Sequence, residues 1–159
     1  MGPGQGTGWK EAHVRDVRLL VADDDAEMRS WLRQVLEPHG ASVAEADSGV
    51  DLLRLLNEEG PFDLVVSDVR MSWASGIQVL AMVRSAGYET PFIVITAYAD
   101  ERVRCAASQL RAVLIEKPFE IERLVEAADQ ILPAHLGGKV AVPEDLEVPG
   151  RSEGAWRGS

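Results

Sequence analysis

Four short apolar runs, each closing on a polar residue, restrict this chain to a narrow set of folds. Arg18-Leu19-Leu20-Val21-Ala22 leads into Asp23-Asp24-Asp25, and Asp63-Leu64-Val65-Val66-Ser67 leads into Asp68. Phe92-Ile93-Val94-Ile95 closes on Thr96, and Ala112-Val113-Leu114-Ile115-Glu116 closes on Lys117-Pro118. Runs that are apolar at successive positions are covered on both faces, the condition of strands in a parallel sheet. Between them the spacing is helical. Met28, Trp31, Leu32, Val35 and Leu36 follow i, i+3, i+4, i+7, i+8, one buried stripe ended by Glu37-Pro38-His39-Gly40. Ser42 to Ala46 reads as a short second strand. Val50, Leu52, Leu53, Leu55 and Leu56 mark a second helix that closes near Gly60-Pro61. Ile77, Val79, Leu80, Met82 and Val83 mark a third, ending at Gly87, and residues 100–110 a fourth, the least apolar. Ile121, Leu124, Val125, Ala128, Ile131 and Leu132 mark a fifth, stopped by Pro133. The alternation predicts an α/β fold, (βα)5: a doubly wound parallel five-stranded sheet with helices on both faces.

The ends of the chain lack this pattern. Residues 1–15 are glycine-rich and predicted to be a flexible extension. Residues 133–159 mix proline, glycine and charge, and are predicted to be a disordered tail. The folded unit is expected over residues 16–132. With 46% hydrophobic residues it can bury a core without staples. Cys105 is the only cysteine, so no internal disulfide forms, and it is expected to be a small buried hydrophobe. The net charge of −10 opposes binding to a phosphate backbone, so no nucleic-acid partner is expected, and it favours basic partners. No apolar stretch approaches the roughly 20 residues of a membrane helix. The start, Met1 to Gly8, has no apolar signal core. The expectation is no membrane association and a cytoplasmic location.

In an open α/β sheet, ligands sit beyond the carboxyl ends of the strands. The acidic triplet, Asp68, the Thr96 hydroxyl and the Lys117 ammonium would therefore converge on one edge. An Asp before a helix is an ordinary N-cap, which accounts for one of the triplet. Three together repel and raise one another's pKa unless a cation is bound. Asp23 and Asp24, joined by Asp68, suit a hard divalent cation such as Mg2+. Capping and metal binding both remain open for the triplet. Asp68, at the end of a buried run, can act as a nucleophile toward phosphorus and become an aspartyl-phosphate. Its added charge would be met by Mg2+, by Lys117 and by a hydrogen bond from Thr96. Taken singly, Lys117 would be a solvated surface charge and Thr96 an ordinary strand-end residue. A Lys-Pro peptide adopts the cis form far more readily than a non-proline bond, and such a turn can aim the ammonium back over the sheet.

Leu20-Val21-Ala22-Asp23-Asp24-Asp25, Val65-Val66-Ser67-Asp68-Val69-Arg70-Met71, Gly76, Ile95-Thr96-Ala97 and Lys117-Pro118-Phe119 occur in this order across nearly the whole folded unit. As a set they resemble the receiver domain of two-component response regulators. The resemblance implies a flavodoxin-like receiver fold with strand order 2-1-3-4-5. It implies that Asp68 is the phospho-accepting aspartate, Thr96 the switch hydroxyl and Lys117 the lysine that meets the phosphoryl group. Asp24 would ligate Mg2+ directly, Asp23 through water, and the Arg70 main-chain carbonyl would be a further ligand. Arg70 and Tyr98 stand two positions beyond Asp68 and Thr96, where the family flanks the in-line path of water to phosphorus. Both are large and neither suits orienting a water, so slow hydrolysis is expected; the plainer reading is that both lie flat over apolar surface.

The chain departs from the family pattern in three places. Ser72, followed by Trp73, replaces a proline after Met71; Leu114 replaces an aromatic residue; Leu110-Arg111 replaces a small pair before the last strand. The resemblance implies a single-domain receiver, a phospho-acceptor and not an enzyme acting on other substrates. A sensor histidine kinase or phosphotransfer protein would be the phosphohistidine donor. Its downstream protein target would dock on the face of the fourth helix and fifth strand, and the chain would be a monomer or weak dimer. Two alternatives are weighed beside it. One is a small haloacid-dehalogenase-type phosphatase with Asp23 as nucleophile; the other is a receiver-like scaffold that works without phosphorylation.

Overall fold

The computed structural model describes residues 17–37, 41–71 and 74–132. The strands are β1 (Val17–Ala22), β2 (Ala41–Ala46), β3 (Leu64–Asp68), β4 (Phe92–Thr96) and β5 (Val113–Glu116). The helices are α1 (Ala26–Leu36), α2 (Gly49–Glu59), α3 (Gly76–Ser85), α4 (Glu101–Gln109) and α5 (Ile121–Ile131). All pairings are parallel, in the order β2-β1-β3-β4-β5. The expected fold and strand order are both present. These elements lie inside the expected unit 16–132, whereas the extension 1–15, the tail 133–159, Ser72 and Trp73 lie outside the described residues.

Every residue of β3 and β4 is buried, which explains their unbroken apolar runs. The period-two alternation of strand side chains divides the core in two. Leu19, Val21, Val66, Ile93 and Ile95 face α1 and α5, meeting Met28, Trp31, Leu32, Leu124 and Val125. Leu20, Ala22, Val65 and Val94 face the opposite layer, meeting Leu52 and Leu55 of α2, Val79 and Leu80 of α3 and Ala107 of α4. Not every apolar marker is buried. Leu52 and Leu55 face the sheet from α2, while Val50 is 57% and Leu53 37% exposed; Met82 of α3 is 50% exposed. A helix apolar at five of seven positions has more apolar width than one packing face can cover. Cys105 is exposed on α4, contrary to expectation, because only Ala107 of that helix is buried.

The edge at which the strands begin is fastened by two arginines. Arg18 Nη1 donates to the carbonyls of Glu59 (2.6 Å) and Pro61 (2.9 Å), with its guanidinium 4.6 Å from the Phe62 ring centroid. Arg84 Nε donates to the Leu110 carbonyl (2.9 Å), and its Nη1 to those of Tyr88 (3.0 Å) and Thr90 (2.8 Å). Arg111, at the turn into β5, has φ 60°, the left-handed region where glycine is usual after a helix.

Candidate functional site: an acidic cluster at the carboxyl edge of the sheet

The strand register brings the four polar ends to one level. Ala22 pairs with Ser67, Asp68 with Ile95, and Thr96 with Glu116. Main-chain bonds continue the ladder past the strands: the Val69 amide donates to the Ile95 carbonyl (2.9 Å), and the Lys117 amide to that of Thr96 (2.8 Å). Asp23, Ser67, Asp68 and Thr96 are the buried polar residues among those described.

The acidic triplet divides its work. Asp25 is the N-cap of α1, its carboxylate accepting from the Glu27 amide at 3.0 Å. Asp23 is turned inward and accepts from the Asp25 amide at 2.9 Å. Asp24 stays exposed, yet one oxygen each from Asp23, Asp24 and Asp68 lies within 4.8 Å of the others. Burial pushes the Asp23 carboxyl up to about 8, and the nearby Asp68 charge adds to the rise; the Asp25 amide and Lys117 oppose it. Such a cluster carries more negative charge than its surroundings neutralise, the donor set and charge that suit a hard divalent cation.

Lys117 answers part of that charge. Its Nζ lies 3.5 Å from Asp68 Oδ2, and both side chains are about nine-tenths buried. The Lys117–Pro118 bond is cis, as the sequence pattern allowed. The other Asp68 oxygen, Oδ1, accepts from the Arg70 amide at 3.0 Å. Asp68 is positioned from beneath by Ser67, whose Oγ donates to the Asp68 carbonyl (2.9 Å). Gly76 is there because a Cβ would sit 2.4 Å from that same carbonyl oxygen and 2.7 Å from Ser67 Oγ.

Thr96 Oγ1 accepts from the Tyr98 amide at 3.0 Å. The Arg70 guanidinium carbon lies 4.9 Å from the centroid of the Tyr98 ring. The two residues expected to flank the site therefore stack on each other. Leu114, which stands where an aromatic was expected, is half-buried against the α2–α4 layer. Two further residues support the site. Arg29 Nη1 donates to the Asp23 carbonyl (2.7 Å), and its Nε pairs with Glu45 (3.3 Å). Ser67 looked like one more strand residue. Arg29 and Asp25 are four apart in sequence at a helix start, a spacing that places both near the same strand end.

A family model described as the response regulator receiver domain matches residues 19–129. Response regulator MprA of Mycobacterium sp. (strain KMS) is 39% identical over 110 residues, covering 69% of this chain and 47% of that protein. The receiver domain of Francisella response regulator 1452 superposes with a TM-score of 0.68 at 26% identity, covering 73% of this chain and 96% of that one. Response regulator TrrA of Thermotoga maritima, solved in complex with Mg(2+)-BeF, gives a TM-score of 0.64 at 27% identity, covering 72% and 97%. The chain belongs to the response regulator receiver domain family. It spans about half the length of the mycobacterial regulators it matches. Neither alternative, phosphatase nor phosphorylation-independent scaffold, is favoured by these matches.

Proposed function

We propose that the chain accepts a phosphoryl group on Asp68 from a phosphohistidine donor, on a sensor histidine kinase or phosphotransfer protein, and signals through protein contacts. The observation that carries this reading is the Asp68 carboxylate: buried at the end of a central strand, 3.5 Å from Lys117 and within 4.8 Å of two further carboxylates. An Asp68 oxygen would form the O–P bond as the donor's P–N bond breaks. Mg2+, when held by Asp23, Asp24, Asp68 and the Arg70 carbonyl, would neutralise charge on the transferring group. Lys117 would meet a second phosphoryl oxygen, its ammonium exchanging the carboxylate for the phosphoryl group. The Thr96 hydroxyl, which already accepts from the Tyr98 amide, would donate to a third. These residues hold and orient the phosphoryl group, so the chain is a signalling phospho-acceptor and catalyses only its own phosphorylation and dephosphorylation.

The target would dock on the α4–β5 face, with the receiver domain spanning residues 16–132 and acting as a monomer or weak dimer. Among the described residues no helix is long and apolar enough to cross a membrane. The location consistent with this reading is cytoplasmic. Incubation with acetyl phosphate and Mg2+, read by intact mass, tests the function. One phosphoryl increment, acid-stable, base-labile and lost in Asp68→Asn, is expected. A label that persists in Asp68→Asn would rule out the assignment.

A further inference from the structure

Arg70 differs from seven of the arginines described in this fold. Arg18, Arg29, Arg33, Arg54, Arg84, Arg104 and Arg111 all direct their guanidinium groups at carbonyls or carboxylates. Arg70 stands two residues from Asp68 at an acidic site, yet among the described residues its guanidinium makes no ion pair. It rests on the Tyr98 ring instead, at 4.9 Å. The local hydrogen bonds give the reason. Asp68 Oδ1 accepts from the Arg70 amide and Oδ2 faces Lys117, so each oxygen of the resting carboxylate already has one donor. A phosphoryl group on that carboxylate would bring three acceptor oxygens carrying close to two negative charges, in place of the carboxylate's one.

We propose that Arg70 is exchanged between two partners, the Tyr98 ring in the resting protein and the phosphoryl group in the phosphorylated one. The inference rests on Asp68 being the phospho-acceptor. A cation–π contact at a half-exposed ring is weak, whereas a guanidinium paired with phosphoryl oxygens is charge-assisted and geometrically matched. The exchange therefore runs toward the phosphoryl group once it is present. It has two consequences. Arg70 covers the phosphoryl group and slows its loss to water. Tyr98 loses the partner that joins the β3–α3 and β4–α4 loops, so its ring reports the state of Asp68 at the start of α4. Leu114 cannot supply an aromatic readout, and Tyr98 stands next to the switch hydroxyl with its amide on Thr96 Oγ1.

The full chain, labelled on its tyrosine rings, is followed by NMR while beryllofluoride and Mg2+ are added; intact mass with acetyl phosphate is recorded in parallel. The two tyrosines provide signal and control, since Tyr88 lies on the opposite edge, before β4. Tyr98 should move to the position it already holds in unliganded Arg70→Ala, while Tyr88 stays. Tyr98→Leu removes the resting partner and should tighten apparent beryllofluoride binding about two- to fivefold. Arg70→Ala should weaken it and speed phosphoryl loss, with Arg70→Lys between. A phosphorylated Asp68 with an unmoved Tyr98, or a Tyr98→Leu that binds no tighter, overturns the exchange and leaves the phospho-acceptor reading standing. No mass increment on Asp68 overturns both.

Discussion

The raised carboxyl of Asp23 makes metal-free stability depend on pH in an unusual direction. Its pKa in the folded protein, about 8, lies above the ordinary value of 3.8, so the folded state holds the proton more tightly than the unfolded chain. Below both values each state is protonated and folding loses nothing. As pH rises through the interval, the unfolded chain releases its proton first and stability falls. Above the folded value both are ionised and the loss is complete. At pH 7 about three units have been traversed, an upper limit of roughly 4 kcal/mol at ~1.4 kcal/mol per unit. Asp23→Asn removes the titrating group and keeps an oxygen for the Asp25 amide, but desolvating its NH2 group costs about 1–3 kcal/mol. A net gain of about 1–3 kcal/mol at pH 7 is therefore expected, turning into a net loss of about 1–3 kcal/mol near pH 4, where the linkage contribution is gone and the cost of the amide remains. Urea denaturation from pH 4 to 8 in EDTA measures both chains. Saturating Mg2+ should stabilise the parent more than the variant, since a cation bound only to the folded state lifts stability by mass action. Parallel stability–pH curves for the two chains in EDTA would refute the reasoning.

Asp24→Ala should weaken Mg2+ binding at least tenfold by calorimetry and raise metal-free stability slightly; unchanged metal affinity would remove Asp24 from the site. Lys117→Met should destabilise the metal-free protein by about 3 kcal/mol at pH 7, because it strands the buried Asp68 charge. Adding Asp68→Asn to that variant should restore most of the loss in a double-mutant cycle. Gly76→Ala should cost about 1–3 kcal/mol in denaturant melts despite alanine's better helix propensity, because the methyl group meets the Asp68 carbonyl. A neutral result would show that the close approach is relieved at no cost.

The fold was legible because the sheet is parallel and covered on both sides. Burial on two faces makes each strand a continuous apolar run, and a run marks its own end. Convergence of Asp23, Asp68, Thr96 and Lys117 followed, since topology alone sends those ends to one edge. The division within the triplet was half legible: an Asp before a helix announces a cap, but which of three turns inward depends on chain direction after Ala22. Arg70 on Tyr98 was not legible, since the pair is 28 residues apart and joined only by the β3–β4 register. The exposure of Val50, Leu53, Met82 and Cys105 was hidden for a different reason. Periodicity reports which residues are apolar, and the neighbours decide which of them are covered.

The two arginine seams at the opposite edge carry a consequence for how such a chain can vary. Arg18 and Arg84 grip main-chain carbonyls, five in all, and every residue presents the same carbonyl. These seams are therefore blind to the identity of the residues they hold and to their protonation. Substitutions at Glu59 and in the stretch 88–90 should be cheap, and insertions there costly, because chain length alone sets where the carbonyls fall; Gly60 is the exception, since a Cβ there would sit 2.6 Å from the Leu56 carbonyl oxygen. The molecule is thus spelled out letter by letter at one rim and merely measured at the other.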